Sequence, residues 1–299
     1  MASRSRRVIY AALAGNTAIA ITKFAAAAIG GSSAMLAEGV HSVVDTGNQA
    51  LLLYGLHRAR QPPDENFPFG YGKEVYFWSF VVAIQVFTAG AGVAMAKGIY
   101  ELLHPQPLRH VTLNYAVLGI SAVFEGATWL FALKEMSRTK GKWTYLEAVQ
   151  HGKDPSRFMV LFEDAASLLG LAVATAGIVA EQLTGRMIFD GIASILIAVV
   201  LAVTALWLGY ETKGLLIGES ANSEVVADIE NIAGALDGVR EVREVLTMHI
   251  GPSYIIVCLS AVLTKGGNAD GGRTFALLEN KIRARHPRVK QVFTKAVPG

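Results

Sequence analysis

Six stretches of this 299-residue chain, about 8–29, 33–57, 75–102, 111–133, 158–181 and 187–209, are long and apolar enough to span a lipid bilayer. A spanning helix needs about 20 mainly apolar residues. Within hydrocarbon only helices and closed barrels satisfy every backbone polar group, and runs of this length are too long for barrel strands. The sequence therefore predicts an integral, multi-pass, all-α bundle of six transmembrane helices. Turn formers punctuate it: Gly30, Gly31 and Ser32 separate the first two helices, Pro105 and Pro107 the third and fourth, and Gly185 the fifth and sixth. The charged fraction of 17% lies below the roughly 25% of soluble domains.

Basic residues set the expected orientation. Arg4, Arg6 and Arg7 precede the first helix, and Arg58, Arg60 and Lys73 lie between the second and third. Lys134, Arg138, Lys140, Lys142, Lys153 and Arg157 lie between the fourth and fifth, against only Arg109 and Arg186 on the other side. Both termini are expected in the cytoplasm, and the expected location is a bacterial inner (plasma) membrane. The first apolar stretch has no evident cleavage site and reads as a spanning helix, not a signal peptide.

From about Ser223 the pattern changes. Helical spacing over 224–236 is followed by β-branched runs at 242–250 and 254–263, joined by Gly251 and Pro252. A helix over 272–285 and a strand over 289–296 complete the order αββαβ, a small cytoplasmic α+β, ferredoxin-like domain. The domains expected are 1–218 in the membrane and 219–299 outside it, the second small enough to gain from pairing with its own copy. The net charge of +3 is too small and dispersed for nucleic acid. A single cysteine, Cys258, excludes an internal disulfide and a cysteine-based zinc cluster.

Ionisable groups deep in apolar helices cost several kcal/mol and mark functional sites. His41 and Asp45 stand four residues apart, hence on one helix face. Imidazole and carboxylate together suit a divalent transition metal, the bland alternative being a helix–helix hydrogen bond. Asn48 extends that face as an oxygen ligand, a supporting donor or interhelical glue. Glu163 and Asp164 are adjacent and point about 100° apart. Asp164 is expected to face a shared centre, while Glu163 stays open between ligand and proton-handling or packing partner.

Glu125 and Lys23 interrupt two further helices and read as an ion pair or a proton-relay carboxylate. Asp190 is expected to be wetted and structural, and Glu38 and Lys97 to need no special role. The 63–74 loop, with Asp64, reads as a turn that docks on the helices. His249 and His286 are isolated from strong ligands, and 143–153 could form an amphipathic helix on the membrane surface.

With these residues the chain resembles the cation diffusion facilitator family of metal–proton antiporters over nearly its whole length. The resemblance is carried by Leu36-Ala37-Glu38-Gly39-Val40-His41-Ser42-Val43-Val44-Asp45, by Phe69-Gly70-Tyr71-Gly72-Lys73-Glu74 and by Asp164. The Glu163-Asp164 pair is similar to the branch of mitochondrial-type zinc transporters. The resemblance implies a homodimer that exchanges metal for protons by alternating access, through a tetrahedral site built from two residues on each of two helices. His41, Asp45 and Asp164 match three ligand positions. The fourth falls on Val160, leaving Glu163, Asn48 or water to complete the set. Tyr71 replaces a loop histidine of some members, and the tail has no histidine cluster.

The expected activity is export of Zn2+ as transported substrate, with Mn2+, Fe2+ or Co2+ open because the donors are oxygen-rich. The expected partners are the cation, protons and the lipid bilayer. The competing class, an intramembrane metalloenzyme, needs an open metal position and a general base. The sequence has neither His-Glu-x-x-His nor Gly-x-Ser-x-Gly, so no enzyme is expected.

Overall fold

The computed structural model describes residues 2–141, 143–264 and 271–298, apart from the side chains of residues 2–15, 139, 146, 150 and 157. Lys142 and the side chains of Arg4, Arg6, Arg7 and Arg157, which contribute to the orientation expected from sequence, lie outside the described residues. Helices α1 (Ala2–Gly30), α2 (Ser33–Arg58), α3 (Glu74–Leu103) and α4 (Val111–Thr139) come first. A short α5 (Tyr145–Gly152) leads into α6 (Pro155–Thr184) and α7 (Ile188–Ile217). Gly31 and Gly185 adopt positive φ at the ends of α1 and α6, where a left-handed residue terminates a helix at least cost.

Among the described residues four helices, α3, α4, α6 and α7, are long and apolar enough to cross a membrane. The chain is thus an integral, multi-pass membrane protein. α1 and α2 have comparable length, 29 and 26 residues. α2, however, carries Glu38, His41, Asp45 and Asn48 in its interior, which dilutes its hydropathy.

The bundle core is built largely from small residues, among them Ala26, Ala34, Ala37, Ala94, Ala174, Ala193 and Ala198, with Met35, Ile178, Ile197 and Leu201 between them. Between membrane helices this composition lets backbones approach closely and pack by dispersion. One close approach joins α3 and α7: a Cβ on Gly98 would lie 2.7 Å from Ile195 Cγ1 and 2.9 Å from Ile195 N.

Asp190 is buried rather than wetted, which corrects the sequence expectation. It accepts hydrogen bonds from Ser32 Oγ at 2.5 Å, Ser33 Oγ at 2.7 Å and the Ser33 backbone N–H. Its carboxylate therefore caps the positive end of α2 from another helix and fixes the start of the helix that carries His41 and Asp45.

The C-terminal part contains α8 (Ser223–Gly234), β1 (Val239–Gly251), β2 (Tyr254–Leu263), α9 (Gly271–Arg285) and β3 (Val289–Ala296), the expected αββαβ order. The sheet runs β1-β2-β3, antiparallel then parallel, with α9 in the crossover. Its core, including Ile229, Ala233, Val257, Leu259, Leu278 and Ile282, is separate from that of the helices. The short α5 departs from expectation. Its Ala148 and Val149 are buried against Met136, Phe158 and Met159, so its apolar face is covered by protein, not left for lipid.

Gly98→Ala should destabilise the bundle by about 1–3 kcal/mol through overpacking. Gly126→Ala, with open space around its Cβ, should be neutral or stabilising by up to about 1 kcal/mol. Unfolding in detergent followed by tryptophan fluorescence compares the two; equal stabilities would contradict the close approach.

Candidate functional site

Helical spacing brings polar side chains from several helices to one small cavity. Ser42, Asp45 and Gln49 lie at i, i+3 and i+7 on α2, Glu125 and Thr128 at i and i+3 on α4, and Asp164 and Ser167 at i and i+3 on α6. They enclose, with α1, a cavity of about 30 Å³, a volume comparable to one water's share of the liquid. The residues between them on each helix turn to other neighbours, so the clustering follows from the 3.6-residue repeat.

His41 adjoins this cavity through Asp45, with Nε2 3.4 Å from Asp45 Oδ2. The imidazole is 1% exposed, and neither ring nitrogen has a hydrogen-bond partner. The 3.4 Å approach is an electrostatic contact without hydrogen-bond alignment. Asp45 Oδ1, Asp164 Oδ2, Ser42 Oγ and Asn48 Oδ1 are likewise buried without a partner. Since buried polar atoms are nearly always bonded, such a concentration of free donors and acceptors is a chemical signal.

The remaining predicted residues pair with each other: Asn48 Nδ2 donates to Glu163 Oε1 at 3.0 Å. Neither lines the cavity. The structure thus brings Asp45 and Asp164 to a common space, places His41 against Asp45, and sets Asn48–Glu163 beside them as a tie between α2 and α6. Among the described residues no three His, Cys, Asp or Glu side chains form a closed metal-holding group.

A second cavity, of about 520 Å³, meets the first. Leu52, Leu53 and Leu56 of α2, Phe131 of α4, and Ser156 and Val160 of α6 are among its walls, and Gln49, Thr128 and Asp164 belong to both cavities. It extends toward the end of the bundle where α2 finishes and α6 begins. Val160 faces this vestibule one turn from Asp164.

The Lys23–Glu125 pair suggested by the sequence is present, at 2.6 Å. The sequence reading missed Glu38, which is fully buried and lies 3.1 Å from Lys23 Nζ. It also missed Ser42, Gln49, Thr128 and Ser167. The available signal was spacing, since Glu38 and Ser42 precede His41 and Asp45 by three residues and Thr128 and Ser167 follow Glu125 and Asp164 by three.

The loop docks as expected. Asp64 Oδ1 accepts from the backbone N–H of Asn66 at 3.0 Å and Phe67 at 2.7 Å, and Oδ2 from the Tyr71 hydroxyl at 2.5 Å. Those bonds, with Tyr71 first, hold its carboxyl below the usual range, as a turn-forming carboxylate rather than a metal ligand. Gly72 packs so tightly on β1 that a Cβ there would lie 2.5 Å from Ile250 O. In the tail, His286 contacts Asp228 at 2.8 Å, whereas burial of His249 lowers its pKa. The two make no common metal group.

Residues 9–217 match the family described as the cation efflux transmembrane domain. The proton-coupled zinc antiporter SLC30A9, mitochondrial, of Xenopus laevis is 35% identical, over 75% of this chain and 41% of its own length. Metal tolerance protein C4 of Arabidopsis thaliana is 34% identical, over 75% of this chain and 50% of its own. The manganese efflux system protein MneP of Bacillus subtilis is 22% identical, over 98% of this chain and 96% of its own. The chain thus spans half or less of the first two relatives.

Asp64's depressed folded-state value means that its contribution to the loop is present above the ordinary carboxylate pKa of about 3.9 and is lost as pH falls through the lower folded value. Tyr71→Phe should move the Asp64 midpoint up toward about 3.9 in a carbon NMR titration. An unmoved midpoint would remove the hydroxyl as the cause.

Proposed function

We propose, for a chain that belongs to the cation efflux family, a secondary active transporter that exports a divalent transition metal, zinc first, from the cytoplasm in exchange for protons by alternating access. The observation that carries this reading is the set of unbonded buried atoms on His41, Asp45 and Asp164, at a small polar cavity joined to a much larger vestibule. Zinc takes imidazole and carboxylate ligands in four-coordinate sites. An oxygen-rich set also admits manganese, iron or cobalt. Glu163 and Asn48 are assigned to supporting the ligands through their mutual hydrogen bond.

Ligands must be deprotonated to hold metal, so binding releases protons and protonation releases metal. An imidazole is the side chain whose ordinary titration lies near neutrality, which gives the exchange without a further cofactor. The open arrangement suits a cation that must leave as well as enter. The metalloenzyme alternative is set aside because the family and its named relatives are efflux proteins and antiporters.

In this reading all six long helices span the membrane, with α1 and α2 as the polar-bearing pair, and the domains are 1–218 and 219–299, the second ferredoxin-like. Both termini face the cytoplasm. Exposed Leu246 and Phe293 on the sheet support pairing with a second copy. A bacterial inner membrane is the proposed location. The relative matched over 96% of its own length comes from Bacillus subtilis, whereas the Xenopus relative named mitochondrial is matched over 41% of its own.

His41→Ala and Asp45→Ala should each abolish zinc-driven proton flux in proteoliposomes loaded with a pH-sensitive dye. Undiminished flux in both variants would overturn the assignment of the site.

A further inference from the structure

The proposed ligand set leaves one polar cluster without a role. Lys23 of α1 is fully buried, and its ammonium lies 2.6 Å from Glu125 Oε1 on α4 and 3.1 Å from Glu38 Oε2 on α2. One carboxylate suffices to neutralise a buried lysine, and a second adds an uncompensated charge in a medium that penalises it. The two carboxylates also differ in place. Glu125 lines the small cavity together with Asp45 and Asp164, and Glu38 does not. Ser167, three residues beyond Asp164, donates to Glu125 Oε2, so Glu125 is held from the α6 side as well as by Lys23.

A separate observation marks the cavity as a place for a ligand. Ser42 is 5% exposed, lines the same space, and its hydroxyl has no hydrogen-bond partner. A buried hydroxyl with no protein partner, facing two carboxylates with unbonded oxygens, is poised for a cation.

We propose that Glu125 is an additional ligand of the transported cation, supplied by α4, and that Lys23 is the positioning residue holding Glu125 until a divalent cation takes it. This rests on the transport reading above and deepens it. The fourth donor comes neither from Val160, which cannot ligate, nor from Glu163, which Asn48 holds. The set becomes one imidazole nitrogen from His41 and carboxylate oxygens from Asp45, Glu125 and Asp164, four donors as zinc prefers and oxygen-rich enough to accept manganese. A cation entering the cavity must draw Glu125 from the ammonium, so Lys23 acts as a tethered competitor, and Glu38 keeps it neutralised afterwards.

The test is equilibrium binding of Zn2+ to the full chain in detergent, by competition with a fluorescent chelator. Glu125→Gln, whose amide oxygen still accepts from Lys23 while its NH2 can donate to the Ser167 hydroxyl, should weaken binding at least tenfold. Lys23→Met should tighten it at least tenfold when Glu125 is present and leave it unchanged in the Glu125→Gln background. A purely structural lysine would instead give weaker binding in both backgrounds. If Lys23→Met does not yield folded protein, Lys23→Gln, which keeps a donor without the charge, takes its place with the same expectation. Unaltered affinity in Glu125→Gln, or a lysine effect independent of Glu125, overturns the proposal. His41→Ala and Asp45→Ala separate the two readings: if they abolish binding while Glu125→Gln does not weaken it, only this inference fails. If they too leave binding intact, the transport site itself is misassigned.

Discussion

An ammonium buried between two carboxylates ties together the part of the bundle on which everything else rests. Lys23 reaches Glu38 and Glu125 from a third helix, and Ser167 adds a fourth through Glu125. In a hydrocarbon solvent, removing one member of such a cluster strands a charge, whereas the assembled cluster is tolerated only in good geometry. Its energetic worth is therefore small as a net gain and large as a constraint, because α1, α2, α4 and α6 cannot slide or rotate independently while the charges stay paired. The same constraint fixes the register of Asp45 against Asp164.

Two other features deliver α2 in that register. Asp190 of α7 gathers the N-terminal donors of α2, joining the positive end of one helix to a carboxylate of another. Small residues along the inner faces then allow the close helix contact that the ties require, as at Gly98 against Ile195. Within this frame both ring nitrogens of His41, the Ser42 hydroxyl and one carboxylate oxygen each of Asp45 and Asp164 remain unbonded. Paired polar groups thus position the helices, while unpaired atoms gather at the small cavity between them.

Much of the candidate site was legible before any coordinates. His41 and Asp45 stood out because their four-residue spacing needs no tertiary information, and Asp164 because a charge in an apolar run demands a reason. The Lys23–Glu125 pairing followed from there being few deep charges to match. Glu38 and Asp190 were misread for a common reason: each lies near a helix end, where sequence suggests interfacial water, yet neighbouring helices cover both. Helix α5 misled similarly, since amphipathic periodicity announces an apolar face without saying whether lipid or protein covers it. Ser42, Thr128 and Ser167 were passed over because isolated hydroxyls are ordinary in membrane helices, although each stands three residues from a deep charge.

The sequence by itself determined what local rules can carry: long membrane helices from long apolar runs, the αββαβ order of the tail from changes of hydrophobic period, and the shared face of His41 and Asp45 from the helical repeat. Tertiary structure alone decided which faces meet. That Glu125 joins Asp45 and Asp164 at one cavity while Glu163 turns aside to Asn48 depends on the rotation of each helix about its own axis. That rotation is set by packing and buried charge between segments more than 100 residues apart, as in Lys23 with Glu125, and no periodicity within a single segment records it.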